Sequence, residues 1–296
     1  MRRRLIVLAV LACAALPVAL SGCGPMMEAT RELTASFALS ADAVELDVVS
    51  ANGRIEIVGV EGQKSVEVTA TLCSYGDTLA EAAARVAQID VVMIQEGDRV
   101  ELRYDAGEHP LDVRMFSSVE FAVTMPVQAD VDASTTNGRI EAENLSGILD
   151  LETSNGRVDV SDVVADLDVS TSNGEIRVEH SDGSFELDTS NGAIEMENVS
   201  GIVDAETSNG PLTYSGYLIP EADHRMVTTN GAIHLAIRSD ASLIIDAATS
   251  VGSIVSTLPL VGDTEGTSWS AMLNPPATGT LTLRTSNGRI EMHGIF

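Results

Sequence analysis

Acid–base or metal chemistry in this chain would fall first to its histidines, His109, His180, His224, His234 and His293. None stands at metal-ligand spacing from another histidine or a cysteine. The chain also has no nucleophile motif, no Walker loop and no dinucleotide glycine pattern. Of the three cysteines, Cys13 lies in the N-terminal signal and Cys23 is the candidate for lipid attachment, so Cys73 has no internal disulfide partner. Carboxylates are the one abundant chemical group. Asp150, Asp168, Glu186 and Asp204 recur every 18 residues and are the candidates for a divalent cation, which needs several converging oxygens. Side chains on a flat strand face diverge, which argues against a tight site. No metal, cofactor or catalytic residue is expected.

Charge and composition set the next limits. The 296 residues carry 17 Lys and Arg against 44 Asp and Glu, a formal charge of −27. A nucleic-acid partner needs the opposite balance to neutralise phosphates. Disorder is a poor reading, because 44% of residues are hydrophobic.

The N-terminus reads as a sorting signal. Arg2, Arg3 and Arg4 precede an apolar run over residues 5–20, too short for a comfortable membrane span. Leu20, Ser21, Gly22 and Cys23 then resemble a bacterial lipobox, which implies cleavage before Cys23 and lipid on its sulfur. Several acyl chains on one residue anchor a protein stably to a membrane. Cleavage removes three positive charges, taking −27 to −30. By analogy with Gram-negative sorting, the absence of aspartate after Cys23 directs the protein to the outer membrane if the host has one. The organisation expected is a signal peptide over 1–22, a lipidated tether over 23–36 and a single β-repeat domain over 37–296. The repeats are regular over 137–213 and looser over 214–296.

Within that domain the quartet Thr-Ser-Asn-Gly recurs. Asn-Gly pairs stand at Asn137-Gly138, Asn155-Gly156, Asn173-Gly174, Asn191-Gly192 and Asn209-Gly210, each 18 residues after the last, and again at Asn287-Gly288. Near-copies surround Asn52 and Asn230, and Val251-Gly252 keeps the frame with asparagine lost, 36 residues (two periods) before Asn287. A fixed period of this kind signals a repeat architecture. Apolar and polar residues alternate within each copy, as in Leu167, Val169 and Thr171 against Asp166, Asp168 and Ser170, so each holds two strands with one buried face. Turns are expected near Gly147, Ala165, Gly183 and Gly201, and at Asn-Gly, where asparagine and glycine would supply left-handed backbone. Threonine should point in and serine out. His180 shares a column with Asn144, Asp162 and Asn198, so it reads as a solvated turn residue.

Stacked like charges about 5 Å apart repel by roughly 1 kcal/mol in water and far more in a dry interior, so the acid columns must face solvent. The fold class expected is all-β: a β-solenoid, parallel β-helix-like, of 18-residue two-strand coils. The alternative is an antiparallel meander or sandwich, because Asn-Gly is also a hairpin signal. A solenoid explains why whole columns keep their identity, since stacked asparagines can exchange side-chain hydrogen bonds. Residues 44–62 read as a first copy, and residues 77–89 as a short helix with Asp77 as N-cap and a stripe of Leu79, Ala83, Val86 and Ile89. The stretch 65–127 reads as a cover for the open end.

The stretch VEFAVTMPVQADVDASTTNGRIEAENLSGILDLETSNGRVDV, with its P-x-x-A-x-V step from Pro126 to Val131 and serial TSNG units, resembles the bacterial "putative adhesin" family of β-strand-repeat domains of unknown function, number 4097 in that series. The likeness extends over about residues 43–296. It implies a solenoid-like domain at the cell envelope and brings no catalytic residues. The function expected is therefore a lipid-anchored, non-enzymatic envelope protein. It would present an acidic surface to an envelope protein or a polysaccharide, with the membrane as partner through Cys23. The alternatives are a carbohydrate-active enzyme on a β-helix and an accessory sensor in envelope-stress signalling.

Overall fold

The computed structural model describes residues 17–18, 26–40, 43–104 and 111–295. The lipobox, residues 20–23, lies outside them, as does His109. The described chain is all-β with two short helices, Leu79–Val86 and Leu111–Phe116, and falls into two compact units, residues 1–146 and 147–296.

In the first unit the copy at 44–60 sits at the centre. Val44–Ser50 runs parallel to Arg99–Arg103 on one side and to Ala129–Thr135 on the other. Ile55–Val60 lies parallel between Ser117–Pro126 and Ile140–Glu143. The first copy thus stacks on one 85 residues later, and Asn137 Nδ2 donates to Asn52 Oδ1 at 2.6 Å. Antiparallel strands cover the outer edges: Val92–Glu96 on Arg99–Arg103, and Ser65–Gly76 between Ser117–Pro126 and Met26–Ala38. Pro17 and Val18 pair antiparallel with Met27 and Met26.

Residues 26–36, expected as tether, are therefore strand. Ala29 and Phe37 are buried on its inner side. Arg31 occupies the same side and donates from its guanidinium to the Ile89 carbonyl at 2.9 Å. The helix starts one residue later than expected. Thr78, not Asp77, is its N-cap, its side chain accepting from Glu81 N at 3.2 Å. Ala82, Val86 and Ile89 are buried while Leu79 is exposed.

In the second unit successive repeats pair in parallel with an offset of 18: Val158 opposite Ile176, Ile176 opposite Ile194, Leu167 opposite Phe185 and Phe185 opposite Val203. The antiparallel meander does not hold for these repeats. Each apolar column is fully buried, for example Val160, Val178, Met196, Tyr214, Leu235 and Met292. Tyr214 keeps its hydroxyl satisfied at the Val199 carbonyl, 2.9 Å away.

The order of the stack departs from the order of the chain. Asp223–Thr228 pairs in parallel with Gly279–Asn287, and Leu243–Val251 lies on the far side of that strand. The last copy is thus inserted between the copies of Asn230 and Val251. The two periods between Val251 and Asn287 do not hold a coil. Ser268–Leu273 instead folds antiparallel onto Leu243–Val251, and Leu260–Asp263 onto Ser268–Leu273. Residues 260–273 lack the Thr-Ser-Asn-Gly quartet and so lack the groups that register a coil.

Asparagine, threonine and glycine of the quartet each have their own contact. Asn173 donates to Asn155 at 2.8 Å, and Asn191 to Asn173, Asn209 to Asn191 and Asn230 to Asn209 at 2.9 Å each. Asn287 donates to Asn230 at 2.8 Å. Thr189 is buried; its hydroxyl donates to Gly174 O at 3.0 Å and accepts from Gly192 N at 3.1 Å. Thr171, bound to Gly156 O and Gly174 N, repeats that bridge, and Ser172, Ser190 and Ser208 are exposed.

Glycine is required for space, not for left-handed backbone: a Cβ on Gly192 would fall 1.7 Å from Gly174 O. The left-handed residues stand at the other turn, where Asn144, Asp162, His180 and Asn198 have φ of 54°, 56°, 49° and 55°. Short polar side chains tolerate that region best. The expected turn positions Gly183 and Gly201 lie three residues further on, inside strands.

Candidate interaction surface

The alternation that buries Leu167, Val169, Phe185 and Leu187 turns their neighbours outward. On the long strands this exposes Asp150, Asp168, Glu186 and Asp204 in one row and Glu152, Asp188 and Glu206 in the next. The serine column borders them. A shallow groove of about 240 Å³ follows the boundary, lined by Glu152, Asp188, Glu206, Ser172, Ser190 and Ser208 among others. Arg225 closes the acid rows at one end, donating to Asp204 at 3.0 Å and to Glu206 at 2.6 Å. Crowding has a titration consequence. Partial burial and the charges of Glu206, Asp204 and Glu186 push the Asp188 carboxyl above its usual range.

The short strands carry the opposite pattern, with arginines interleaved among acids. Arg157 pairs with Asp159 at 2.7 Å and Glu175 at 3.2 Å, and Arg177 pairs with Glu179. These pairs are solvent-exposed and each is worth little, and they offset only part of the acid on that face, where Arg177 alone serves Glu179, Glu195 and Glu197. The long-strand face is the more acidic one in the second unit.

The remaining sequence candidates are dispersed. Asp150, Asp168, Glu186 and Asp204 stand one per strand at a spacing of about 4.8 Å. Among the described residues no group of three His, Cys, Asp or Glu side chains could hold a metal ion. His180 is an exposed turn residue and His234 pairs with Glu291 at 3.0 Å. Cys73 is 8% exposed and donates to Glu28 Oε1 at 3.1 Å; burial, then that bond, pushes its thiol up to about 12. It is no nucleophile at neutral pH.

His224 is the histidine whose environment the sequence did not reveal. It is 2% exposed where the repeat lengthens from 18 to 21 residues. Its Nδ1 accepts from Val203 N at 3.3 Å and its Nε2 donates to the Ile219 carbonyl at 2.9 Å. A backbone N–H can only donate, so the ring is neutral. Burial holds its pKa below the usual value, against the opposing pull of the Ile219 carbonyl and Asp223. Because the folded pKa is lowered, this contribution to stability is complete above the unfolded value of about 6.5 and is lost as pH falls below it. Stability of the wild type to urea should therefore weaken as pH falls below about 6.5 relative to His224→Gln. Parallel curves for the two proteins would contradict the assignment.

Among the described residues no helix is long and apolar enough to cross a membrane. Comparison with protein families matches residues 80–293 to Toastrack DUF4097, a domain family of unknown function. The chain belongs to the Toastrack DUF4097 family. Three solved structures similar to this Toastrack chain are a "putative cell adhesion protein" from Clostridium sporogenes and "putative adhesins" from Parabacteroides distasonis and Bacteroides fragilis. Each is 12% identical, and they cover 90%, 88% and 90% of this chain and 100%, 97% and 97% of their own, with TM-scores of 0.32, 0.45 and 0.28. No curated protein matches the chain.

Proposed function

We propose that this Toastrack protein is a lipid-anchored, non-enzymatic component of the cell envelope whose acidic long-strand face binds an envelope protein or a polysaccharide. The observation that carries the reading is the segregation of charge. The long-strand face holds its acids in registered rows with Arg225 only at their border, while the arginines of the short strands are spent on neighbouring acids. Each 18-residue repeat is, in this reading, one two-strand coil of a β-solenoid, and the coil-to-coil register turns a repeated acid into a continuous surface. Cys23 supplies the anchor, on the outer membrane where the host has one.

The test is retention of envelope protein and polysaccharide by the immobilised mature chain. Retention should fall with rising salt, because surface charge is screened within about 10 Å at 0.1 M. It should also fall for a variant carrying Asp168→Asn, Glu186→Gln and Asp188→Asn. Equal retention by that variant would contradict the reading. Glycan cleavage by the wild type that the variant loses would favour the carbohydrate-active alternative.

A further inference from the structure

The first unit carries a second surface, at the end where the strand Met26–Ala38 begins. The strand Met26–Ala38 begins three residues after Cys23. An extended chain spans at most about 3.6 Å per residue, so Met26 lies within roughly 11 Å of Cys23, the lipid-bearing residue. Cleavage before Cys23 also removes Pro17 and Val18, the residues paired with Met27 and Met26. No tether then separates the anchor from the fold.

Three apolar side chains are exposed at this end. Met27 is 36% exposed, Leu79 41% and Met115 68%. Met27 lies opposite Gly76, and Leu79 follows Gly76 by three residues, in the first turn of the helix Leu79–Val86. Met115 precedes Phe116, whose carbonyl accepts from Ser74 Oγ at 3.1 Å and whose ring lies 4.9 Å from the Arg85 guanidinium of that helix. The three thus surround the end of the strand Ser65–Gly76. Glu28 follows Met27 in the chain, Asp77 and Glu81 flank Leu79, and Arg85 lies over the Phe116 ring. Apolar side chains exposed together and rimmed by polar groups mark a contact surface, and the nearby anchor identifies the apolar phase.

We infer that this end of the first unit seats on the bilayer surface, with Met27, Leu79 and Met115 entering the boundary between headgroups and acyl chains. The inference rests on lipidation of Cys23 as proposed above. It replaces a domain swinging on a tether with one held flush and in a fixed orientation. Methionine suits such a surface, since its flexible side chain adapts to a fluid partner.

The lipidated full-length product, purified from membranes and reconstituted in vesicles of equimolar phosphatidylethanolamine and phosphatidylglycerol, provides the test. Single cysteines are introduced as Leu79→Cys, Met115→Cys and, as control, Val60→Cys. Val60 is 38% exposed and pairs with Pro126, at the other end of the strand Ser117–Pro126 from Met115. Cys73 is buried and does not compete for label. A membrane-impermeant maleimide should modify positions 79 and 115 several-fold more slowly in vesicles than in detergent, and position 60 equally in both. Equal rates at all three positions, with acyl mass confirmed on Cys23, would overturn this inference and leave the anchoring intact. Absence of acyl mass on Cys23 would overturn both.

Discussion

Gly192→Ala is expected to destabilise the second unit by about 4 kcal/mol or more, the range reserved for backbone-level collisions. The added Cβ would lie 1.7 Å from Gly174 O and 2.5 Å from Gly174 C, both backbone atoms that cannot swing aside. Relief would need the two corners to part, and the Thr189 hydroxyl ties those corners together through Gly174 O and Gly192 N. Alanine also reduces the entropy of the unfolded chain, which favours folding by about 0.4–1 kcal/mol. The collision is the larger effect by several-fold. Ser190→Ala, two residues away on the exposed side, should change stability by about 0.5 kcal/mol or less. Thermal unfolding of the pair distinguishes them, and a Gly192→Ala protein as stable as Ser190→Ala would show that the corners are not in contact.

The second large effect has the opposite sign. Asp168, Glu186 and Asp188 lie among like charges, with Asp168 opposite Glu186 and Asp188 opposite Glu206. Neutralising them as Asp168→Asn, Glu186→Gln and Asp188→Asn leaves both Arg225 pairs in place. At roughly 1 kcal/mol for each near neighbour in water, the variant should gain about 1–2 kcal/mol at low salt, after relaxation of exposed side chains. The gain should shrink as salt screens the repulsion it removes. The raised Asp188 pKa fixes the pH sign. Its charge destabilises the fold above the folded-state value, and that penalty is relieved as pH falls through it. The advantage of the variant should therefore narrow in mild acid. An unchanged melting temperature at low salt would mean that the rows are too far apart to interact.

The second unit was legible in the sequence wherever the physics repeats. Leu167, Phe185 and Val203 share a column because each meets the next, and Asp168, Glu186 and Asp204 share one because solvent accepts a row of like charges. Thr-Ser-Asn-Gly returned because asparagine bonds its own copy in the next repeat and threonine ties the glycine corners of successive repeats together. What stayed hidden was set by contacts distant in sequence. The insertion of Gly279–Asn287 beside Asp223–Thr228 leaves no trace in a count of periods. Glycine was read as a left-handed residue because that is its commoner use, whereas here the neighbouring carbonyl excludes a Cβ. In Met26–Ala38 the alternation is diluted by Ala29, Ala35 and the inward Arg31, so a strand passed for a tether. The acid rows themselves were visible, but the ion pairing on the short-strand face needed the Arg157 and Arg177 contacts to be seen.

The central claim, that the acidic long-strand face is the binding surface, is tested most directly by cross-linking in intact cells. A photoreactive residue replaces Asp168 on that face or Thr213 on the short strands, both exposed. The account predicts a discrete cross-linked product from position 168, diminished by Glu186→Gln with Asp188→Asn, and none from position 213. Products from position 213 alone, or from both positions without regard to charge, would contradict it.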